Sequence, residues 1–182
     1  MEKWTDRELL EKFRNRETRN LGFNLLMQEY KQRVYWHVRR MVIDHDDAND
    51  ITQDIFIKIW NGLDSFHEES KLFTWIYRIA SNECFTFLNK KRKRFFISIV
   101  DIEEQLIAAI DNSEGFSGDE IQKKLQKAIL TLPEKQRMVF NMKYFEEMKY
   151  EEIAEITGTS VGALKASYHL AVKKIEEFLE ND

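Results

Sequence analysis

Leu26, Tyr30, Val34, Val38 and Val42 recur at every fourth position, a spacing that lines them along one side of a long α-helix. The device returns twice, as Ile51, Ile55 and Ile59 and as Phe73, Ile76, Ala80, Cys84 and Leu88. A strand buries alternate residues, so none of these segments fits a half-buried sheet. One proline and six glycines in 182 residues leave little to interrupt helices. The expected fold is all-α.

Helix starts are written beside these stripes. Thr5 and Glu8 are spaced as a capping box. Asp44-His45-Asp46-Asp47 closes the first long helix and can cap the next, in which Asp50, Gln53, Asp54 and Trp60 surround the isoleucine stripe. Thr131-Leu132-Pro133-Glu134 reads as another capping box with proline in the first turn, opening a helix through about Tyr144. Tyr150 to Ile156 then forms a short helix, Thr157-Gly158-Thr159 a turn, and Ser160 the cap of a helix running to about Leu179. That is the spacing of a helix-turn-helix, with small Ala154 at the helix contact, Gly158 free to take a positive φ, and Leu164 between the helices.

The net charge of −4 is unevenly distributed. Residues 1–95 hold 18 Lys+Arg against 15 Asp+Glu, and residues 121–182 hold ten of each. Residues 96–120 hold seven acids, Asp101, Glu103, Glu104, Asp111, Glu114, Asp119 and Glu120, and no Lys or Arg. Within that segment Asp111-Asn112-Ser113-Glu114-Gly115-Phe116-Ser117-Gly118-Asp119 is rich in turn formers. Two small helical domains, 1–95 and 121–182, joined by a flexible acidic linker over 96–120, are therefore expected.

Two faces carry chemistry. On the third stripe's helix, Thr74, Arg78, Asn82, Phe85 and Asn89 share the side away from Cys84, with Trp75 and Tyr77 beside it. That helix ends in Lys90-Lys91-Arg92-Lys93-Arg94. Five consecutive cations repel one another, and aromatics and amides ahead of them suit stacking and hydrogen bonding to exposed bases. The second helix of a helix-turn-helix lies in the major groove. Here Gly162, Ala163, Lys165, Ala166 and His169 are expected nearest the bases, and Lys173 and Lys174 near phosphates.

Other classes find little support. A single cysteine, Cys84, precludes an intramolecular disulfide or a Cys-rich zinc site and is expected in the core. No apolar run reaches membrane-spanning length and the start lacks a signal-peptide stretch, so a soluble, cytoplasmic protein is expected. His45 and His67 with Asp44, Asp46 and Asp47 make a poor metal site, because consecutive residues on a helix cannot all face one ion. Neither an enzyme, nor a metal, nor a cofactor is expected. A stand-alone helix-turn-helix regulator accounts for 121–182 but leaves the first domain's polar faces idle.

These residues also resemble a known family. Leu132-Pro133-Glu134-Lys135-Gln136-Arg137, Tyr144-Phe145-Glu146 and Tyr150-Glu151-Glu152-Ile153-Ala154-Glu155 are similar to region four of the sigma factors of the extracytoplasmic-function (ECF) type in the sigma-70 family. The stretch from Asp47 to Trp60 resembles region two's polymerase-binding helix, and the stretch from Phe73 to Asn82 its DNA-melting helix.

The resemblance implies that Asp50, Gln53, Asp54 and Trp60 bind core RNA polymerase. It implies that Lys71, Thr74, Trp75, Arg78, Asn82, Phe85, Asn89, Lys90, Lys91, Arg92, Lys93 and Arg94 engage the melted minus-ten element. In the family the loop corresponding to residues 61–71 borders a pocket for a flipped base. Ser160, Gly162, Ala163, Lys165, Ala166, His169, Leu170, Lys173 and Lys174 correspond to the face that reads the minus-thirty-five duplex. Many members carry arginines where this chain has Ser167, Leu170 and Val172, which shifts weight toward apolar contact with thymine methyls. Core polymerase, promoter DNA as duplex and melted strand, and a restraining anti-sigma factor are the implied partners. The acidic linker is either a mimic of nucleic acid in polymerase channels or a solubilised spacer.

Overall fold

The computed structural model describes residues 4–95, 106–108, 110 and 120–181, apart from the side chains of 94 and 95. The first domain comprises α1 (Asp6–Arg14), α2 (Arg19–Val42), α3 (His45–Gly62), a 3-10 turn (Leu63–Ser65) and α4 (Leu72–Phe95). The second comprises α5 (Glu120–Leu130), α6 (Glu134–Tyr144), α7 (Tyr150–Thr157) and α8 (Val161–Asn181). No strand occurs among the described residues.

The three stripes meet in one core. Leu26, Tyr30, Val34, Val38 and Val42 of α2 pack with Ile51, Ile55 and Ile59 of α3 and with Ile76, Ala80, Cys84 and Leu88 of α4, all buried. Phe73, at the start of the third stripe, is only half-buried and lies against Tyr77 at 4.4 Å between ring centres. Tyr77, read from sequence as a neighbour of the polar face, is fully buried. Burial also pushes the Cys84 thiol up, so the side chain stays neutral and behaves as a small hydrophobe.

Local caps act as their spacing suggests at three positions. Thr5 Oγ1 accepts from the Glu8 amide and Glu8 accepts from the Thr5 amide. Asp44 accepts from the Asp47 amide at 2.9 Å, and Ser160 Oγ accepts from the Ala163 amide at 3.3 Å. The expected box at Thr131 does not form. The Thr131 hydroxyl donates back to the Ala128 carbonyl at 2.7 Å, and Pro133 occupies the N-cap position, with no side-chain cap. Proline there fixes an extended residue directly before the helix, which displaces Thr131 from the capping register.

Two helical segments went beyond the sequence reading. α5 packs through Ala128 and Ile129 onto Phe140, Ala171 and Ile175. Residues 106–108 and 110, inside the stretch assigned as linker, are helical, and Leu106 and Ile110 are buried against Ile43 and Leu130. The turn-rich stretch 111–119 lies outside the described residues, as do all the linker acids except Glu120.

The two domains are in contact. Met138, Val139, Met142, Met148, Ile153 and Ile156 of the second domain and its α6–α7 connection join the same apolar cluster as α2 and α4. At the other end of the first domain, α1 crosses α2 closely at Gly22. A Cβ there would lie 2.6 Å from the Phe13 nitrogen, a backbone atom that cannot step aside. Gly22→Ala should therefore cost about 1–3 kcal/mol of stability as an overpacking substitution. Urea denaturation checks this, and an unchanged midpoint would contradict the close crossing.

Candidate nucleic-acid interface

α3 presents its polar residues outward because its isoleucine stripe fixes the opposite side. Asp50, Gln53 and Asp54 are exposed, and Ile57 beside them is 58% exposed. Gln53 also borders an open groove of about 730 Å³ between α2 and α3, with Met27, Tyr35, Thr52 and Phe56. Trp60 stands differently from the other three. It is half-buried, edge-on to Phe13 at 5.2 Å and to Phe23 at 4.9 Å, with the Arg19 guanidinium 5.0 Å above its ring. Arg19 in turn makes two hydrogen bonds to Asp64, whose carboxyl these bonds hold below the usual carboxylate range.

α4 holds the proposed single-strand face in two parts. Asn82, Asn89, Lys90 and Lys93 are exposed and Phe85 is half-buried. Lys91 pairs with Asp47 at 3.1 Å, and Arg92 bonds Asn89 and pairs with Glu134 of the second domain at 3.3 Å. The Arg94 side chain lies outside the described side chains.

Toward the helix start the face is partly engaged by the second domain, Thr74 being buried while Lys71 and Arg78 stay exposed. Thr74 is 1% exposed and its hydroxyl donates to Glu155 Oε2 of α7 at 3.2 Å. Arg78 Nη2 donates to the Glu155 carbonyl at 2.6 Å. Trp75 stacks at a tilt on Phe66, 5.1 Å away. Lys71 and Arg78, with Phe66, Glu68, Glu69 and Glu155, line a cavity of about 680 Å³.

The helix-turn-helix is formed by α7 and α8. Gly158 takes φ +68°, Leu164 is buried between the helices, and Ala154 packs against the shared core. Along α8 the residues Gly162, Ala163, Lys165, Ala166, His169, Leu170, Lys173 and Lys174 are all exposed, Leu170 at 52%. Lys165 Nζ rests 5.8 Å from the Tyr150 ring, and Lys173 pairs loosely with Glu177 at 3.8 Å. A Cβ at Gly162 would meet nothing within 4 Å. The fold makes no demand for glycine there.

No group of three or more metal-ligating side chains occurs among the described residues. His45 is engaged by Tyr35 Oη at 2.8 Å and by Asn49 at 3.0 Å. Among the described residues, no helix is long and apolar enough to cross a membrane. Sequence reasoning missed Glu134, Glu146 and Glu155, which bind the first domain. In their own segments they read as ordinary solvated acids, Glu134 and Glu155 on helices and Glu146 in the α6–α7 connection, and only the docked partner distinguishes them.

The arrangement matches known proteins along most of the chain. Residues 26–94 match the family model of sigma-70 region 2, and residues 122–175 that of sigma-70 region 4. The chain belongs to the ECF sigma factors of the sigma-70 family. It is 31% identical over 156 residues to the ECF RNA polymerase sigma factor SigW of Bacillus subtilis, covering 81% of this chain and 83% of that protein. It is 32% identical over 183 residues to the ECF RNA polymerase sigma-E factor of Escherichia coli, covering 96% and 94%. The fold is shared with CnrH in its complex with the cytosolic domain of CnrY, at TM-score 0.69, 21% identity and coverage of 97% and 98%. It is also shared with RpoE in its complex with the anti-sigma factor NepR from Bartonella quintana, at TM-score 0.67, 22% identity and coverage of 88% and 98%.

Because the space over Gly162 is open, Gly162→Ala should leave the fold intact and raise stability by up to about 1 kcal/mol through helix propensity. A lower urea midpoint would show that the fold, after all, requires glycine there.

Proposed function

We propose that this sigma factor joins core RNA polymerase through Asp50, Gln53 and Asp54 of α3, with Trp60 holding the end of that helix in place. In this reading α4 receives the melted minus-ten strand, using Thr74, Trp75, Arg78, Asn82, Phe85 and Asn89 with Lys71 and the cations from Lys90 to Arg94. The first turns of α8, from Ser160 to Lys174, read the minus-thirty-five duplex. The cavity beside Lys71 and Arg78 is the place for an unstacked base, whose few-kcal/mol cost stacking on an aromatic returns in part. The role is one of binding, not of catalysis, and it is exercised in the cytoplasm. An anti-sigma factor restrains the free chain in this reading; the structurally similar RpoE is bound to the anti-sigma factor NepR.

One observation carries the reading: α3 and α8 both turn polar faces to solvent that their own packing does not use. A stand-alone regulator needs only the second of these. The domain limits 1–95, 96–120 and 121–182 belong to the same reading.

Asp54 is exposed and outside the core, so Asp54→Lys should preserve the helical circular dichroism signal. It should weaken co-purification with core polymerase at least about tenfold by reversing a charge at the contact. Undiminished co-purification would remove α3 from the polymerase contact, and no co-purification by the natural chain would favour the stand-alone regulator.

A further inference from the structure

The loop between α3 and α4 is fastened at residues 64, 66 and 68 by the corner between α1 and α2. Arg14, the last residue of α1, donates from Nη2 to the Phe66 carbonyl at 3.0 Å and from Nη1 to Glu68 Oε1 at 2.7 Å. Arg19, the first residue of α2, holds Asp64 by two bonds and lies over the Phe13 ring at 4.0 Å and over the Trp60 ring at 5.0 Å. The corner itself is tightly built. The Thr18 hydroxyl donates to the Lys12 carbonyl at 2.8 Å, and Gly22 crosses α1 too closely for a side chain. Each guanidinium therefore has a fixed origin and a two-point grip.

Two features of the loop call for that grip. Glu68 has φ +59°, a conformation that glycine adopts freely and that presses the Cβ of any other residue against its own backbone. The residue that the Arg14 fork reaches is the strained one. The loop is also acidic, with Asp64, Glu68 and Glu69, although it borders the cavity beside Lys71 and Arg78. Bare carboxylates there would repel a nucleic-acid strand, and Arg14 and Arg19 pair with Glu68 and Asp64. Phe66 and Glu68 line that cavity together with Arg7 and Leu10 of α1. The Phe66 ring lies against Trp75 at 5.1 Å, so a hold on its carbonyl is passed on to the single-strand face. As a stabilising device the Arg14–Glu68 pair is weak, since the two side chains are 44% and 49% exposed. What it fixes is the shape of the loop at the cavity.

We propose that Arg14 is a positioning residue for base selection: it holds Phe66 and the left-handed Glu68 in the shape that walls the cavity for the unstacked base, while Arg19 fixes the start of the same loop. The proposal rests on the reading of that cavity as the base pocket. It gives α1, which lies outside the residues 26–94 matched by the sigma-70 region 2 model, a share in deciding which base is accepted. Arg14 acts through the loop and touches neither base nor phosphate. Its contribution is the backbone shape of residues 66–68.

The complex of the full-length chain with core polymerase is offered a single-stranded DNA oligonucleotide of randomised sequence, and sequencing the bound fraction gives a base preference at each position. Arg14→Ala should lower the preference at one position at least about fivefold, the lower end of what a left-handed conformation costs a residue other than glycine. Preferences at other positions, co-purification with core polymerase and the urea midpoint should stay unchanged. Arg16→Ala removes an exposed cation from the same corner and should leave every preference as it was. Adding Glu68→Gly to Arg14→Ala should restore the lost preference, because glycine keeps the turn without being held. Glu68→Ala, equal in charge, should not restore it. Unaltered preference in Arg14→Ala, or the same loss in Arg16→Ala, would overturn the proposal. A loss spread over all positions with a lower urea midpoint would overturn it too, by making Arg14 a prop of the fold. Equal restoration by glycine and alanine at 68 would do the same, since charge and not shape would then decide. Retention without any base preference by the natural complex would defeat the base-pocket reading and the proposal with it, whereas the other failures leave the pocket standing.

Discussion

The apolar side of α4, with Ile76, Ala80, Cys84 and Leu88, is sealed completely against the stripes of α2 and α3. That seal fixes the rotation of the helix, and with it the direction of each polar side chain on the other side. Thr74, Arg78, Asn82 and Asn89 share a face because the buried stripe allows no other rotation. A helix whose one side is unalterable and whose other side is rich in donors has to find acceptors for them. In the free chain α7 supplies two of them, and under the proposed function a melted strand supplies them in turn.

Charge placement follows the same division. The net −4 of the whole chain conceals a first domain with an excess of cations and a connector with acids alone. Cations at the end of α4 have local partners, Asp47 for Lys91 and Glu134 for Arg92, which ease a repulsive run. The connector is more than a charged spacer where it is described. Leu106 and Ile110 belong to an apolar cluster of their own.

What the sequence made legible was local. Capping by Thr5, Asp44 and Ser160 depends on residues three apart, and the four-residue stripes depend on one helix at a time, so both could be read from the chain. The exposed face of α8 was legible for the same reason, since the turn at Gly158 and the buried Leu164 set its register. Thr131 shows the limit of that method: its spacing to Glu134 was right, yet Pro133 took the capping position and left its hydroxyl to Ala128. Domain closure was not legible, because His37 meets Glu146 and Thr74 meets Glu155 across roughly half the chain. Nothing in the local sequence of α7 or of the α6–α7 connection marks those acids as different from Glu147 or Glu151.

The central claim is that these faces act together to start transcription at particular promoters. Run-off transcription with purified core polymerase, the natural chain and a genomic promoter library tests it most directly. The account predicts discrete products from a subset of templates that disappear when the chain is omitted. Products absent, or identical with and without the chain, would contradict it.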